Sequence, residues 1–151
     1  MEIAFFRHVF FESYVGLITV PARKRTVDCL TYECMYDGSK RPIPYSSCIE
    51  LPEMYFMVHF SKLQSGKYDY IILRICRKSD YHVPIIPHSS DGFVCLNPFR
   101  ARHYDPVDLC HSVVDYFWKS TFEGSLFNPI QFVKSLAADT YPSVFYKRCN
   151  L

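Results

Sequence analysis

Tyr55-Phe56-Met57-Val58-His59 is the clearest strand signal in this chain. Four aromatic or apolar residues run together and end on a histidine, the pattern of a buried strand. Gln64-Ser65-Gly66 then interrupts the chain, and Lys67 to Arg77 carries a second run with Tyr68, Tyr70, Ile71, Ile72, Leu73 and Ile75. Two shorter runs follow, Tyr81 to Ile86 and Phe93 to Leu96, punctuated by Lys78-Ser79-Asp80 and Ser89-Ser90-Asp91-Gly92. Gaps this short between strands predict antiparallel hairpins. Pro84 has no N–H for a ladder, so its position faces away from a partner or sits on a bulge.

Outward from these strands the pattern changes. On the C-terminal side Asp105-Pro106 opens a helical stretch, roughly Val107 to Lys119. Leu109, Cys110, Val113, Val114 and Phe117 recur there at the spacing of one apolar face. Phe122 to Pro129 reads as a loop, and Val133 to Tyr141 as a short terminal strand. On the N-terminal side Pro21 begins a short helical pattern in which Val27 and Leu30 share a face. Between that helix and the strands, Thr31 to Pro52 holds Asp37-Gly38, Pro42, Pro44 and Pro52, and reads as a long loop. Met1 to Ser13 is an aromatic lead-in that adds a strand or docks on the domain. The order is helix, antiparallel strands, helix, tail. It predicts a single α+β domain over 14–148, a small central antiparallel sheet flanked by two helices.

Composition bounds the function. The chain has 151 residues, 49% hydrophobic and 21% charged, enough apolar material for one folded domain. A net charge of +2 does not point to nucleic acid. Seven cysteines, an odd number with no Cys-x-x-Cys pair, support neither a zinc site nor a disulfide framework. Reduced thiols in a cytoplasmic protein are the expectation, with Cys29, Cys76, Cys95 and Cys110 inside apolar runs. Glu2, Arg7, His8 and Glu12 break up the first twenty residues, which argues against a signal peptide or a membrane span. The sequence carries no nucleophile motif or metal spacing, and five glycines leave little material for a phosphate-cradling loop. A non-enzyme without cofactor or metal is therefore expected.

Several fragments in order resemble the SH2 domain family, closest to the SH2 domains of phosphoinositide 3-kinase regulatory subunits. Tyr14-Val15-Gly16 followed by Ile18 resembles the aromatic-glycine lead into the family's first helix. Tyr55-Phe56-Met57-Val58-His59 resembles its Phe-Leu-Val-Arg strand, and His82-Val83-Pro84-Ile85 its His-Tyr-Lys-Ile strand. Asp91-Gly92-Phe93-Val94 resembles the next hairpin. Val107, Leu109, Cys110, Val113, Val114, Tyr116 and Phe117 follow the second-helix spacing, and Tyr141-Pro142-Ser143 is similar to the closing segment.

The resemblance implies an extended tyrosine-containing peptide or signalling protein as partner, and allows a larger signalling complex. Its phosphate pocket falls on His59, Arg23, Ser61, Lys62 and His82, with the Ser65-Gly66 backbone N–H groups beside them. Its peptide groove falls on Arg100, Arg102 and His103 on one wall, and Phe122, Leu126 and Phe127 on the other. His59 stands where the family has its phosphate-binding arginine. Arginine grips a dianion with a planar two-bond fork, and its loss costs roughly 2–5 kcal/mol. Pro84 likewise stands where the family favours a basic residue. The expected function is an SH2-like interaction module with weakened or lost phosphotyrosine dependence. The alternatives are a histidine bonded into the sheet with no ligand, and a structural or regulatory subunit docking through its sheet or its aromatic N-terminus.

Overall fold

In the computed structural model the described residues are 2–80, 89–90, 93–94, 96, 99–119 and 145–151. Their largest feature is an eight-stranded sheet. It contains β1 (Ile3–His8), β2 (Ser13–Val20), β5 (Met54–Lys62), β6 (Tyr68–Arg77), β7 (Ser89–Ser90), β8 (Phe93–Val94), β9 (Arg102–His103) and β10 (Tyr146–Cys149). The strand order is β10-β1-β2-β5-β6-β8-β7, with β9 pairing β6 separately. Every pairing is antiparallel. A second, two-stranded sheet is the hairpin of β3 (Arg23–Cys34) and β4 (Lys40–Leu51). One helix, α1 (Pro106–Lys119), lies on the large sheet.

Alternation along the strands sorts the large sheet into two faces. Ile3 and Phe5 on β1, Tyr14, Ile18 and Val20 on β2, and Met54, Phe56, Val58 and Phe60 on β5 point to one side. There they meet Leu109, Cys110, Val113, Val114 and Phe117 of α1, the apolar face its spacing predicts. The Phe56 and Phe117 rings meet edge-on at 5.0 Å. Asp105 starts the helix, accepting the Val107 N–H at 2.9 Å through Oδ1, with Pro106 at the first helical position.

On β6 the pattern needs one irregularity. His59 pairs with Ile72 but Phe60 pairs with Tyr70, so Ile71 is an extra residue on β6 and is 55% exposed. This bulge lets Tyr68 and Tyr70 share the helix face with Leu73 and Ile75, which plain alternation forbids. The opposite face holds a smaller cluster of Val15, Met57 and Cys76.

Gly16 of β2 faces Cys110 of α1. A Cβ there would stand 2.6 Å from Cys110 Sγ, so only glycine lets the helix settle on the sheet at this distance. Tyr14 and Gly16 therefore face α1, while Val15 between them points to the opposite side of the sheet.

The α+β expectation of an SH2-like sheet between two helices is corrected. The described residues are mostly β-strand and contain one helix. The helix expected from Pro21 is the strand β3, where Thr26, Val27 and Thr31 supply the β-branched residues that suit a pleated backbone. The expected loop over Thr31 to Pro52 completes that strand and its partner β4. Ile3–His8 of the lead-in adds β1 to the large sheet. The expected strands at Tyr81 to Ile86 and Val133 to Tyr141 lie outside the described residues, apart from which β5, β6, β8 and α1 fall where the sequence places them.

Candidate interaction site

His59 sits on β5, pointing away from α1, on the face of Val15 and Met57. Its ring meets Tyr146 edge-on with centroids 6.4 Å apart. Burial pushes its pKa down to about 4, and the charge of Arg74 on β6 pushes the same way. A charged imidazole is disfavoured at that position, so at neutral pH His59 offers a phosphate dianion no positive charge.

The other expected pocket residues do not converge on it. Arg23 opens β3 and lies 4.4 Å from the centroid of Trp118, which packs on the α1 side of the sheet. Lys62 also points to the α1 side, with Nζ 5.7 Å from the Tyr68 ring. Ser61 shares the His59 face, on a rung with Asp69 and Arg102. Arg102 Nε donates to Asp69 Oδ1 at 3.2 Å, which offsets its charge. The Ser65-Gly66 backbone is committed to a three-residue hairpin loop. The Gly66 N–H donates to Leu63 O at 3.0 Å, and Gly66 takes the left-handed conformation at φ 90°. In the expected groove, Arg100 is exposed, and His103 Nε2 lies 3.2 Å from Ser112 Oγ in the middle of α1. His82, Phe122, Leu126 and Phe127 lie outside the described residues.

The β3–β4 hairpin is the feature that the sequence reading missed. Its 12-residue strands span about 40 Å at a rise of ~3.3 Å per residue. The base is anchored: Leu51 enters the main core, and Arg23 and Arg25 both lie over the Trp118 ring. Tyr32, Met35, Tyr36 and Tyr45, toward the far end, are exposed. The turn Met35-Tyr36-Asp37-Gly38-Ser39 repeats the construction of Leu63 to Lys67. The Met35 N–H donates to Ser39 O, the Gly38 N–H donates to Met35 O, and Gly38 has φ 84°. Five cations (Arg23, Lys24, Arg25, Lys40, Arg41) against four acids (Asp28, Glu33, Asp37, Glu50) leave the arm without the basic surplus that a nucleic-acid arm needs.

The two edges of this arm are chemically different. Met35 and Ser39 form a hydrogen-bonded pair, so in an antiparallel ladder the odd-numbered residues of β3 point their N–H and C=O groups at β4. The even-numbered residues point theirs outward. Pro42 pairs with Tyr32 and Pro44 with Leu30, so both prolines fall at outward positions. They cost the hairpin no bond but remove two donors from the outer edge of β4. On β3 the outward residues Lys24, Thr26, Asp28, Leu30, Tyr32 and Cys34 all keep their N–H groups. Among the described residues β3 pairs on one side only. The sequence signal was there: two prolines two residues apart mark one edge of a strand as readily as they mark a loop.

Elsewhere the chemistry is quiet. Burial pushes the Cys76 and Cys110 thiols up to about 11 and about 12, which keeps them protonated. Among the described residues no three His, Cys, Asp or Glu side chains gather as a metal site. None of their helices is long and apolar enough to cross a membrane. Comparison with protein-family models, with curated proteins and with solved structures finds no match.

Proposed function

We propose that this chain is a protein-interaction module that takes up a partner strand along the outer edge of β3. The observation that carries this reading is the asymmetry of the arm: six outward donors on β3 against four on β4, where Pro42 and Pro44 break the row near the tip. Unpaired strand edges bind extended chains through main-chain hydrogen bonds, and proline is a standard means of silencing an edge. A two-stranded hairpin is marginally stable by itself in water, so a third strand at β3 would stabilise the arm as well as bind. The reading matches a structural or regulatory subunit that docks through its sheet. Phosphotyrosine has no part in it, because His59 is held neutral and Arg23 and Lys62 lie toward the opposite face of the sheet.

The test uses the full chain against a library of extended peptides, with each tyrosine phosphorylated and unphosphorylated. Binding is expected without phosphate preference, with amide exchange slowed at Lys24, Thr26, Tyr32 and Cys34. Tyr32→Pro removes an outward donor and should abolish binding while the hairpin folds. Glu33→Pro removes an inward donor and should unfold the arm itself. A clear preference for phosphopeptides, or full binding by Tyr32→Pro, would refute the proposal.

A further inference from the structure

The turn between β1 and β2 gathers exposed apolar side chains at one end of the large sheet. Phe10 is 76% and Phe11 69% exposed, and Val9 and Phe145 stand beside them at 43% and 53%. They surround His8, whose ring centroid lies 5.0 Å from Phe11, 6.0 Å from Phe10 and 5.9 Å from a stacked Phe145. The turn is braced from within. His8 Nδ1 accepts the Phe10 N–H at 3.1 Å, and the Val9 N–H donates to Phe145 O at 2.9 Å. The aromatic rings are thus held outward by local bonds that a buried partner would not need to supply.

Cations stand directly behind this tip. On the β1–β10 ladder His8 pairs with Tyr146, Arg7 with Lys147 and Phe6 with Arg148. Arg7, Lys147 and Arg148 are exposed and sit one to two rungs back from the tip, or roughly 3–7 Å. Alternation puts Arg7 and Lys147 on the α1 side and Arg148 on the other, so the end of the sheet is basic on both faces. Glu12, the acid of the turn, is already paired with Arg7 and accepts the Tyr14 hydroxyl. A groove of about 410 Å³ runs between the turn and β10, with Arg7, Lys147 and Arg148 in its walls.

We propose that this end of the sheet docks on an anionic phospholipid bilayer. Phe10 and Phe11 enter the interface, and Lys147 and Arg148 take the headgroup phosphates. Aromatic tip first and cations a few ångströms behind is the depth order of acyl chains beneath headgroups. A protein partner would need a rigid pocket shaped to the projecting rings, whereas a fluid interface needs none. The site is separate from the outer edge of β3.

The test is flotation of the full chain with vesicles of phosphatidylcholine alone and of phosphatidylcholine with phosphatidylserine. Binding is expected to the serine-containing vesicles only, and to weaken as salt is raised. The double variant Phe10→Ser/Phe11→Ser should lose at least about tenfold in vesicle affinity. Lys147→Glu/Arg148→Glu should lose a similar factor on anionic vesicles. The altered side chains are exposed, and an unchanged melting curve checks that each variant folds. Absence of binding to both vesicle types would overturn the proposal, as would full binding by Phe10→Ser/Phe11→Ser. If that double variant instead changes only self-association or a protein contact, the tip is a protein surface and the bilayer is excluded.

Discussion

Replacing Gly16 by alanine tests how α1 seats on the sheet. The added Cβ would meet Cys110 Sγ at 2.6 Å, Phe5 Cε1 at 3.4 Å and Ile3 Cγ2 at 3.5 Å. The last two are near ordinary contact, so the sulfur decides the outcome. Cys110 is fully buried on α1 among Leu109, Val113 and Val114, so relief requires the helix to shift or the thiol to leave its rotamer. Overpacking of this kind costs about 1–3 kcal/mol. Removing a glycine from a strand returns roughly 0.5–1 kcal/mol. The net expectation is a loss of up to about 2.5 kcal/mol, at roughly 2–4 °C of Tm per kcal/mol for a chain of this length. The assay is urea and thermal unfolding of Gly16→Ala, Cys110→Ala and the double variant. With Sγ removed the new methyl fills vacated space, so Gly16→Ala should be close to neutral in the Cys110→Ala background. A cost that is equal in both backgrounds would refute the packing argument, because two groups that collide cannot be additive.

The buried, neutral His59 has a pH signature. Its pKa falls from an ordinary 6.5 to about 4 in the folded chain, so the unfolded state binds the extra proton. Stability is therefore lost as the pH drops from about 6.5 to about 4 and levels off below that, by roughly 3 kcal/mol in all. His59→Leu should flatten this limb, and titration of the His59 ring near 6.5 by NMR would contradict it. Gly66→Ala forces a side chain into the left-handed region, where the nearest side-chain atom, on Tyr104, is 4.0 Å away. The cost is backbone strain alone, about 1–2 kcal/mol, read by chemical denaturation. Asparagine, which tolerates that conformation, should recover part of it, and a larger loss with Asn than with Ala would sink the assignment.

The strands β5 and β6 and the helix α1 were legible because their signals are local. An apolar run between turn residues, and an apolar face opened by Asp105-Pro106, need no distant partner to be read. The β3–β4 hairpin was misread because its punctuation is ambiguous locally. Pro42 and Pro44 break a central strand but fit an edge, and which applies depends on whether a neighbour lies on their outer side. The His59 position on a strand was legible, and its proton affinity was not. That affinity follows from burial and from Arg74 on the adjacent strand, neither of which the local sequence specifies. Arg23, likewise, is a basic residue near a proline in the sequence, and becomes a cation over the Trp118 ring only once the chain has closed on itself.

Sequence alone determined an aromatic-rich chain with antiparallel strands between Tyr55 and Arg77 and an amphipathic helix after them. Composition and periodicity suffice for that, since they state which residues must leave water and at what spacing. Tertiary structure decided the rest. It set the bulge at Ile71 that turns four β6 side chains to one face, the approach of α1 that reserves Gly16, and the chemical difference between the two edges of the arm. Each of these depends on which strand lies beside which and in what register. A shift of one residue in that register exchanges inward for outward groups along the whole strand.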